Sequence, residues 1–260
     1  MRIHIINLDR TPERLSEFTA VNSHLTDLAR FSAIDGQQLD IPRLASQNVV
    51  APNVLTTFSL GGVGLALSHL ALWEHVIATG QVMTICEDDA IFNRHFEEMA
   101  DEMLRLLPSD WDFISWGWNF DFFINFEMLP GVSTCLAQFE EKRLREGIGA
   151  FQEQGIVAQY FKLNWAYGTP CYSVSPKGAQ ILKRECFPLR PQLITCPDGH
   201  RVPPFSRLYR TVGIDLTLNS IYSKMNAFVC FPPLVVTRNE TTRSTVQKAE
   251  DNAVPETGAT

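Results

Sequence analysis

The chain has 260 residues, of which 45% are hydrophobic and 20% are charged, and its formal net charge is −7. This composition is typical of a globular protein, and the length is sufficient for one large domain with a full core. No basic block is present, so nucleic acid is not an expected partner, because phosphate contacts dominate that affinity. A negatively charged ligand would need local arginines, lysines or a metal ion.

The six cysteines are scattered, without a CxxC pair. A zinc site or a disulfide scaffold is therefore not expected, and reduced thiols in a cytosolic protein are predicted. Residues 1–6 run directly into strand-like sequence without a signal peptide, and no apolar run is expected to reach the length of a membrane span. We therefore expect a cytoplasmic protein, with peripheral association at the inner face of the membrane left open. The oligomeric state is not predicted.

The first strand is predicted over residues 3–8, with Asn7 at its end. A helix should follow, with Thr11 as its N-cap. Arg10 and Arg14 lie where a strand-to-helix loop can present them to a phosphate or a carboxylate. The simpler interpretation is that both arginines are solvated surface residues.

A second strand is predicted over residues 29–34, and the turn dipeptide Asp35-Gly36 closes it. The order strand, helix, strand is typical of a parallel βαβ unit. Residues 37–60 predict a long loop with a short helix. A loop of this length in a compact domain is more often functional than not.

The run Gly61-Gly62-Val63-Gly64 is predicted to precede a buried helix over residues 65–78, which Gly80 ends. The run lacks the Lys-Ser/Thr pair of a P-loop and departs from the GxGxxG pattern. Its glycines are interpreted as permitting close backbone approach to a ligand or to a neighbouring element. On the helix, Ser68 and His69 are polar. A hydrogen-bonded core histidine and a histidine that faces or supports a phosphate site fit the pattern equally well.

An acidic triplet, Glu87-Asp88-Asp89, follows a predicted buried strand over residues 82–86. Three adjacent carboxylates at a strand end repel one another and lose hydration, so a purely structural role explains them poorly. Oxygen-rich clusters of this kind suit Mg²⁺ or Mn²⁺. A solvated acidic turn is the simpler alternative.

The middle of the chain predicts a strand over residues 111–119 that runs into a loop with exposed aromatic side chains. Such rings stack on sugars or bases, although Trp111 and Phe113 fit a core equally well. Residues 117–164 are interpreted as an insertion over the sheet edge. A helix from Pro176 should follow, with Ser175 as its N-cap.

Asp215 lies inside an apolar stretch, residues 212–218. A buried aspartate must be paired or used, so Asp215 is a candidate site residue. The equally weighted alternative is an N-cap for a helix over residues 216–224. Asp198 lies in a Pro- and Arg-rich loop, residues 186–211.

A last strand is predicted over residues 227–236, and residues 1–246 are interpreted as a single domain. The polar tail, residues 247–260, is expected to be disordered.

Several blocks of this sequence occur in the order found in one known family. They are Ile6-Asn7-Leu8-Asp9-Arg10, Ala33-Ile34-Asp35-Gly36, Gly61-Gly62-Val63-Gly64, Leu67-Ser68-His69-Leu70-Ala71-Leu72-Trp73, Glu87-Asp88-Asp89-Ala90, Gly168-Thr169, Ser175-Pro176-Lys177-Gly178-Ala179, Ile214-Asp215 and Pro232-Pro233-Leu234-Val235. With these blocks the chain resembles glycosyltransferase family 25. That family contains the lipooligosaccharide-type galactosyltransferases of bacteria, which are related to the collagen galactosyltransferases of animals. Residues 116–161 are unfamiliar, so the acceptor is left open.

The resemblance implies an α/β fold of the GT-A type, with a Rossmann-like, mixed but mostly parallel nucleotide-binding sheet flanked by helices. It implies an inverting transfer of a hexose, galactose from UDP-galactose above others, to a saccharide or glycolipid acceptor. A divalent metal is implied, with Mn²⁺ preferred and Mg²⁺ as the alternative. Asp89, together with Asp88, is the expected metal ligand.

The other expected roles belong to residues that should meet at the carboxyl ends of the strands, where open α/β sheets bind ligands. Glu87 or Asp88 is expected to bind the ribose or a sugar hydroxyl. Asp215 is the expected catalytic base, with Asp198 in reserve. The remaining donor-binding candidates are Asn7, Arg10, Arg14, Asp35, Ser68 and His69, of which the arginines and His69 are expected to support the diphosphate.

Two other classes of protein stay open. A pyrophosphorylase-like enzyme would ordinarily carry a Gly- and basic-rich N-terminal loop, and Asn7-Leu8-Asp9-Arg10 is not one. A catalytically silent carbohydrate-binding protein of the same fold would not need the intact acidic triplet or Asp215.

Overall fold

The computed structural model describes residues 1–197 and 206–238; Asp198 and the tail lie outside the described residues. The strands are β1 Ile3–Asn7, β2 Leu28–Ser32, β3 Met83–Glu87, β4 Ala90–Phe92, β5 Phe113–Ser115, β6 Ile124–Leu129, β7 Ser133–Ala137, β8 Gln159–Trp165, β9 Cys171–Val174, β10 Leu193–Pro197, β11 Ser206–Arg210, β12 Ala227–Phe231 and β13 Val235–Thr237. The helices are α1 Pro12–Val21, α2 Ile41–Ser46, α3 Leu60–Thr79, α4 Phe96–Leu106, α5 Glu141–Glu146, α6 Ile148–Glu153, α7 Pro176–Cys186 and α8 Ile214–Asn219.

A nine-stranded sheet in the order β2-β1-β3-β9-β5-β12-β8-β6-β7 organises the fold. The expected α/β class with a mixed sheet is confirmed. The expectation of mostly parallel pairing is wrong, because only β1 with β2, β1 with β3 and β5 with β12 pair in parallel among the described strands. Strand β9 runs antiparallel between β3 and β5, and β8, β6 and β7 add an antiparallel extension.

The first βαβ unit is confirmed: β1 and β2 pair in parallel on either side of α1 in the chain. Thr11 precedes this helix as expected but does not cap it through its side chain. Its hydroxyl donates instead to the carbonyl of Leu8 at 3.2 Å, which closes the turn after the strand.

Helix α3 begins at Leu60, earlier than predicted, so the glycine run lies within its first turns. Ser59 is the N-cap and accepts a hydrogen bond from the Gly62 N–H at 2.9 Å. Gly80 ends the helix with a left-handed φ of 67°, as its position predicts. A Cβ at Gly64 would lie 2.5 Å from the Ile34 carbonyl oxygen. The glycines were expected to permit close backbone approach to a ligand or to a neighbouring element. At Gly64 the close neighbour is the backbone of the segment after β2.

By length and composition alone, α3 is long and apolar enough to cross a membrane, which corrects the expectation that no segment is. More than half of its most apolar stretch is buried inside the protein, as in a core helix. Such a helix is therefore weak support for a membrane span.

The expected loop of exposed aromatic side chains after β5 is not found. Trp116 and Trp118 are both fully buried. Trp116 packs edge-on against Phe96 with ring centroids 5.6 Å apart, and Trp118 stacks on Phe231 at 6.1 Å. Burial of these large rings stabilises the core more than an exposed position would.

The segment over residues 117–164, expected to be an insertion, carries β6, β7 and most of β8 and so continues the main sheet. Helix α7 confirms its predicted start, since Ser175 accepts a hydrogen bond from the Gly178 N–H at 3.0 Å. The helix predicted over residues 216–224 begins earlier and is shorter, as α8.

Candidate active site

The carboxyl ends of three adjacent parallel strands lie together at one edge of the sheet. In the strand register Asn7 is opposite Ser32, and Ile6 is opposite Glu87. Asn7, the residues after β2 and the acidic triplet therefore meet at this edge, as the sequence predicts.

Asp88 is held by side chains from the first strand and helix. It accepts hydrogen bonds from Asn7 Nδ2 at 2.7 Å and from Arg14 Nε at 2.8 Å, and Arg14 Nη2 also contacts it. The Arg14 side chain is 19% exposed and the Asp88 side chain 9%. Asp88 and Arg14 are thus paired with each other, so the charge of Arg14 is already balanced at this edge.

Arg30 belongs to this cluster and was not identified from the sequence. Its Nε donates to Asn7 Oδ1 at 3.0 Å and its Nη2 to the Asn7 carbonyl at 3.2 Å, and it also forms an ion pair with Asp9. A lone cation inside the predicted strand over residues 29–34 is the signal that could have revealed it.

Arg10 and Asp35 form a neighbouring pair. Arg10 Nε donates to Asp35 Oδ2 at 2.9 Å, and Asp35 Oδ1 accepts from the Gln37 N–H at 3.0 Å. Asp35 thereby fixes the turn after β2, and Arg10 is positioned by a loop that lies beside the strand ends.

His69 is fully buried, as the interpretation of a hydrogen-bonded core histidine expects, and its support of the diphosphate stays a prediction. Its Nδ1 lies 2.8 Å from the Tyr172 hydroxyl oxygen, which accepts from Trp73 Nε1 at 2.8 Å. The Tyr172 hydroxyl can then donate its own proton to Nδ1 of neutral His69. Burial lowers the pKa of His69 to about 3, so the ring is neutral at physiological pH.

Ser68 is also fully buried, so the structure does not support its expected contact with the donor. Its hydroxyl accepts from the Ile34 N–H at 2.8 Å and donates to the Gly64 carbonyl at 2.9 Å. Ser68 therefore joins α3 to the segment after β2.

Glu87 is partly buried at the end of β3 and accepts a hydrogen bond from Thr169 Oγ1 at 2.8 Å. Desolvation, together with the negative charges of Asp89, Asp88 and Asp215, raises the pKa of Glu87 to about 8. Thr169, which the sequence marked only as part of a family block, is thus a direct partner of the acidic triplet.

Asp215 lies in the first turn of α8, two residues after Gly213, which is the N-cap, so the N-cap alternative for Asp215 is wrong. Its Oδ2 accepts from the Gly168 N–H at 2.9 Å. Burial raises the pKa of Asp215 above its ordinary value, although the backbone N–H groups of Gly168, Leu216 and Asp215 itself lower it. Gly168 and Thr169 are adjacent, so one short segment binds both Asp215 and Glu87.

The chemistry of the acidic triplet fits a divalent cation that is shared with a substrate. Among the described residues, no group of three or more His, Cys, Asp and Glu side chains is arranged to hold a metal ion by itself. Mg²⁺ usually takes only one or two protein carboxylates and completes its shell with phosphates and water. Asp89 is exposed, and its charge is the largest electrostatic contribution to the raised pKa of Glu87. A cation beside Asp89 would offset that repulsion.

A comparison of the sequence with models of known protein families finds a match that covers the acidic triplet and the first βαβ unit. Residues 1–189 match the family model "Glycosyltransferase family 25 (LPS biosynthesis protein)". The chain belongs to glycosyltransferase family 25. This match includes the acidic triplet, Gly168 and Thr169, whereas α8 with Asp215 lies beyond it.

Two similar curated proteins come from mosquitoes, and both are named "Glycosyltransferase 25 family member". The protein from Aedes aegypti is 31% identical over 127 residues, which are 44% of this chain and 21% of that protein. The protein from Anopheles gambiae is 28% identical over 193 residues, which are 70% of this chain and 28% of that protein. The chain therefore matches only about a quarter of the length of these relatives.

Proposed function

We propose that this family 25 chain transfers a hexose from a UDP-sugar, UDP-galactose above others, to a saccharide or glycolipid acceptor with inversion and with the help of a divalent metal. One observation carries the proposal. Gly168 and Thr169 bind two carboxylates that are far apart in the chain, Asp215 at 2.9 Å and Glu87 at 2.8 Å. An acidic strand end and a second, partly buried carboxylate are thereby held beside each other, as transfer between a donor and an acceptor requires.

On the donor side, Asp89 is the proposed metal ligand, and Asp88 is the proposed second ligand. Hydrogen bonds from Asn7 and Arg14 hold the Asp88 carboxylate in position. A divalent ion at Asp89 would supply charge neutralisation for the departing diphosphate. Glu87, which Thr169 holds through a hydrogen bond, is proposed to hydrogen-bond to a hydroxyl group of the UDP-sugar.

On the acceptor side, Asp215 is the proposed general base. As the acceptor hydroxyl oxygen forms its bond to the anomeric carbon, the bond to the diphosphate breaks, and the hydroxyl proton passes to Asp215. A carboxylate whose pKa is raised by burial is a stronger base than an exposed one, which suits this role. The Gly168 N–H orients the carboxylate throughout.

The proposal is tested by measuring UDP release from UDP-galactose and UDP-glucose, with Mn²⁺ and with a chelator. We expect release with UDP-galactose and Mn²⁺, and a loss of that release with the chelator. If no UDP-sugar is turned over and UDP does not bind under either condition, the transferase proposal is wrong.

The catalytic roles are tested by two variants. Asp215→Asn keeps an oxygen that can accept from Gly168 but removes the base, so turnover should fall about 10²–10⁴-fold while UDP binding is retained. Asp89→Ala should instead abolish metal-dependent UDP binding. Asp101→Asn on α4 is the matched control and should behave like the unmodified chain. A fully active Asp215→Asn variant would remove Asp215 as the base.

A further inference from the structure

A cavity of about 510 Å³ lies beside the C-terminal end of α8, whereas Asp215 lies in the first turn of that helix. Its volume falls within the range of small-molecule sites, about 300–1,000 Å³. Its lining residues include Asn164, Trp165, Gln192, Thr195, Asn219 and Ser223. It therefore combines one aromatic ring with amides and hydroxyls.

Asn219, one of the lining residues, has a side-chain donor that makes no hydrogen bond to the described residues. The residue is 4% exposed, and its Oδ1 accepts from the Ala166 N–H at 3.0 Å. That bond fixes which side-chain atom is oxygen, so the other atom is the amide nitrogen Nδ2. Nδ2 is buried and has no hydrogen-bond partner among the described residues. A buried donor without an acceptor is costly, so a bound ligand that supplies an oxygen would be favoured here.

The chemistry of the lining indicates which ligand fits. None of the described lining residues carries a charge, so nothing in this part of the wall recognises a phosphate or a carboxylate. Amides and hydroxyls both donate and accept hydrogen bonds, as the hydroxyls of a sugar require. Trp165 also lines the cavity, and an aromatic ring can pack against the C–H surface of a sugar. A neutral saccharide satisfies all three features.

Helix α8 carries both the cavity residue Asn219 and the proposed catalytic carboxylate of Asp215. Asp215 and Asn219 are four residues apart on α8, so they lie on one face of the helix, about 6 Å apart along its axis. Both bind the same segment, Asp215 at Gly168 and Asn219 at Ala166. A sugar held at Asn219 would thus lie one helical turn from the base.

We propose that this cavity is a binding site for a neutral saccharide and serves as the acceptor subsite, with Asn219 Nδ2 as its anchoring donor. The role as acceptor subsite rests on the proposed transferase function. The saccharide binding itself does not, and it can be tested without any donor.

The test uses the full chain and saturation-transfer NMR with methyl β-galactoside, methyl β-glucoside, lactose and glucose 6-phosphate. Ser223 is exposed on the cavity rim, so Ser223→Trp should fill the cavity with little effect on folding. Ser23→Trp, at an exposed serine after α1, is the matched control. We expect at least one neutral saccharide to bind the unmodified chain and the Ser23→Trp variant, and the Ser223→Trp variant to bind it roughly tenfold more weakly. Circular dichroism should show all three chains to be equally folded.

A second variant tests the anchoring donor. Asn219→Asp keeps an oxygen for the Ala166 N–H but replaces the Nδ2 donor, so saccharide binding should weaken while the fold is retained. Equal saccharide binding by all variants, no binding of any neutral saccharide, or a preference for glucose 6-phosphate would each overturn the proposal.

The donor reaction separates the two proposals. Ser223→Trp should lower transfer to a saccharide that binds, whereas the control Ser23→Trp should leave transfer unchanged. UDP release with no saccharide binding would overturn the cavity proposal and leave the transferase intact. Saccharide binding without any UDP-sugar turnover would support the cavity as a saccharide site and count against the transferase.

Discussion

The position of the Asp215 carboxylate depends on the absence of a side chain at Gly213. A Cβ at Gly213 would lie 2.5 Å from Asp215 Oδ1. The backbone of Gly213 is extended, with φ −147°, so alanine fits there without backbone strain. The end of the Asp215 side chain is the group that would have to move.

We therefore predict that Gly213→Ala lowers turnover about tenfold or more, because a misplaced base loses its alignment with the acceptor. The free energy of unfolding should change by less than about 1 kcal/mol. The measurements are kcat with a UDP-sugar and urea unfolding. Gly155→Ala is the control, since a Cβ there meets nothing within 4 Å. Unchanged turnover in Gly213→Ala would contradict the assigned role of Asp215.

His69 makes a second prediction at the residue scale. Its pKa is about 3 in the folded chain, against an ordinary value of 6.5. The unfolded chain therefore binds more protons between these values, and the stability that neutral His69 contributes above pH 6.5 is lost as the pH falls towards 3. For this shift, the loss by pH 5 should be about 2 kcal/mol.

The measurement is urea unfolding at pH 7.5 and pH 5 for the unmodified chain and for His69→Asn. Asparagine does not titrate, and its oxygen can still accept from Tyr172, so the variant should lose less stability than the unmodified chain over this range. His75→Asn, at an exposed position on the same helix, should keep the full pH dependence. Equal pH dependence in the unmodified chain and His69→Asn would show that His69 does not titrate in this way.

At the scale of elements, helix ends were predicted best, because their signals are local. Ser175 before Pro176 and Gly80 after α3 mark their helix ends through hydrogen bonds and backbone angles within a few residues. The start of α3 was missed, because the first turns of the helix after Ser59 are rich in glycine, and a glycine-rich sequence predicts a loop.

Sheet order was not predictable in the same way. The insertion of β9 between β3 and β5 joins strands that are far apart in the chain, and local periodicity carries no information on such pairing. The site shares this limit. Asn7, Asp35 and the acidic triplet follow from strand ends, whereas the bonds from residues 168 and 169 to Asp215 and Glu87 depend on where β9 enters the sheet.

Helix α3 provides a prediction for the element scale. Its Gly64 contacts the backbone after β2, and a Cβ there would lie 2.5 Å from the Ile34 carbonyl oxygen and 2.7 Å from the Gly36 nitrogen. These are backbone atoms, so the helix itself must shift. Gly64→Ala should lower the free energy of unfolding by about 1–3 kcal/mol.

The matched control is Gly149→Ala in α6, where a Cβ meets nothing within 4 Å. Alanine is the better helix former, so this change should raise the free energy of unfolding by up to about 1 kcal/mol. Urea unfolding of both variants measures the difference. A Gly64→Ala variant as stable as the unmodified chain would show that α3 tolerates a larger separation from the loop.

At the scale of the whole molecule, the candidate site combines segments from both ends of the chain. Asn7 and Arg14 come from the first unit, the acidic triplet from β3, and Asp215 from α8. A ligand that binds this edge contacts the folded arrangement and not the unfolded chain. Donor binding should therefore stabilise the protein as a whole.

We predict that UDP at about 100 times its dissociation constant, with Mn²⁺, adds about 2.7 kcal/mol to the free energy of unfolding and raises Tm by about 5–10 °C. A chelator should remove most of this increase, because the metal is expected to join Asp89 to the diphosphate. Asp89→Asn should keep the Tm of the unliganded chain, since Asp89 is exposed, but should lose the increase, whereas Asp101→Asn should retain it. Differential scanning calorimetry of the three chains, with and without ligands, measures these shifts. An increase in Tm with UDP that is the same in Mn²⁺ and in chelator would show that the diphosphate binds this edge through the arginines alone.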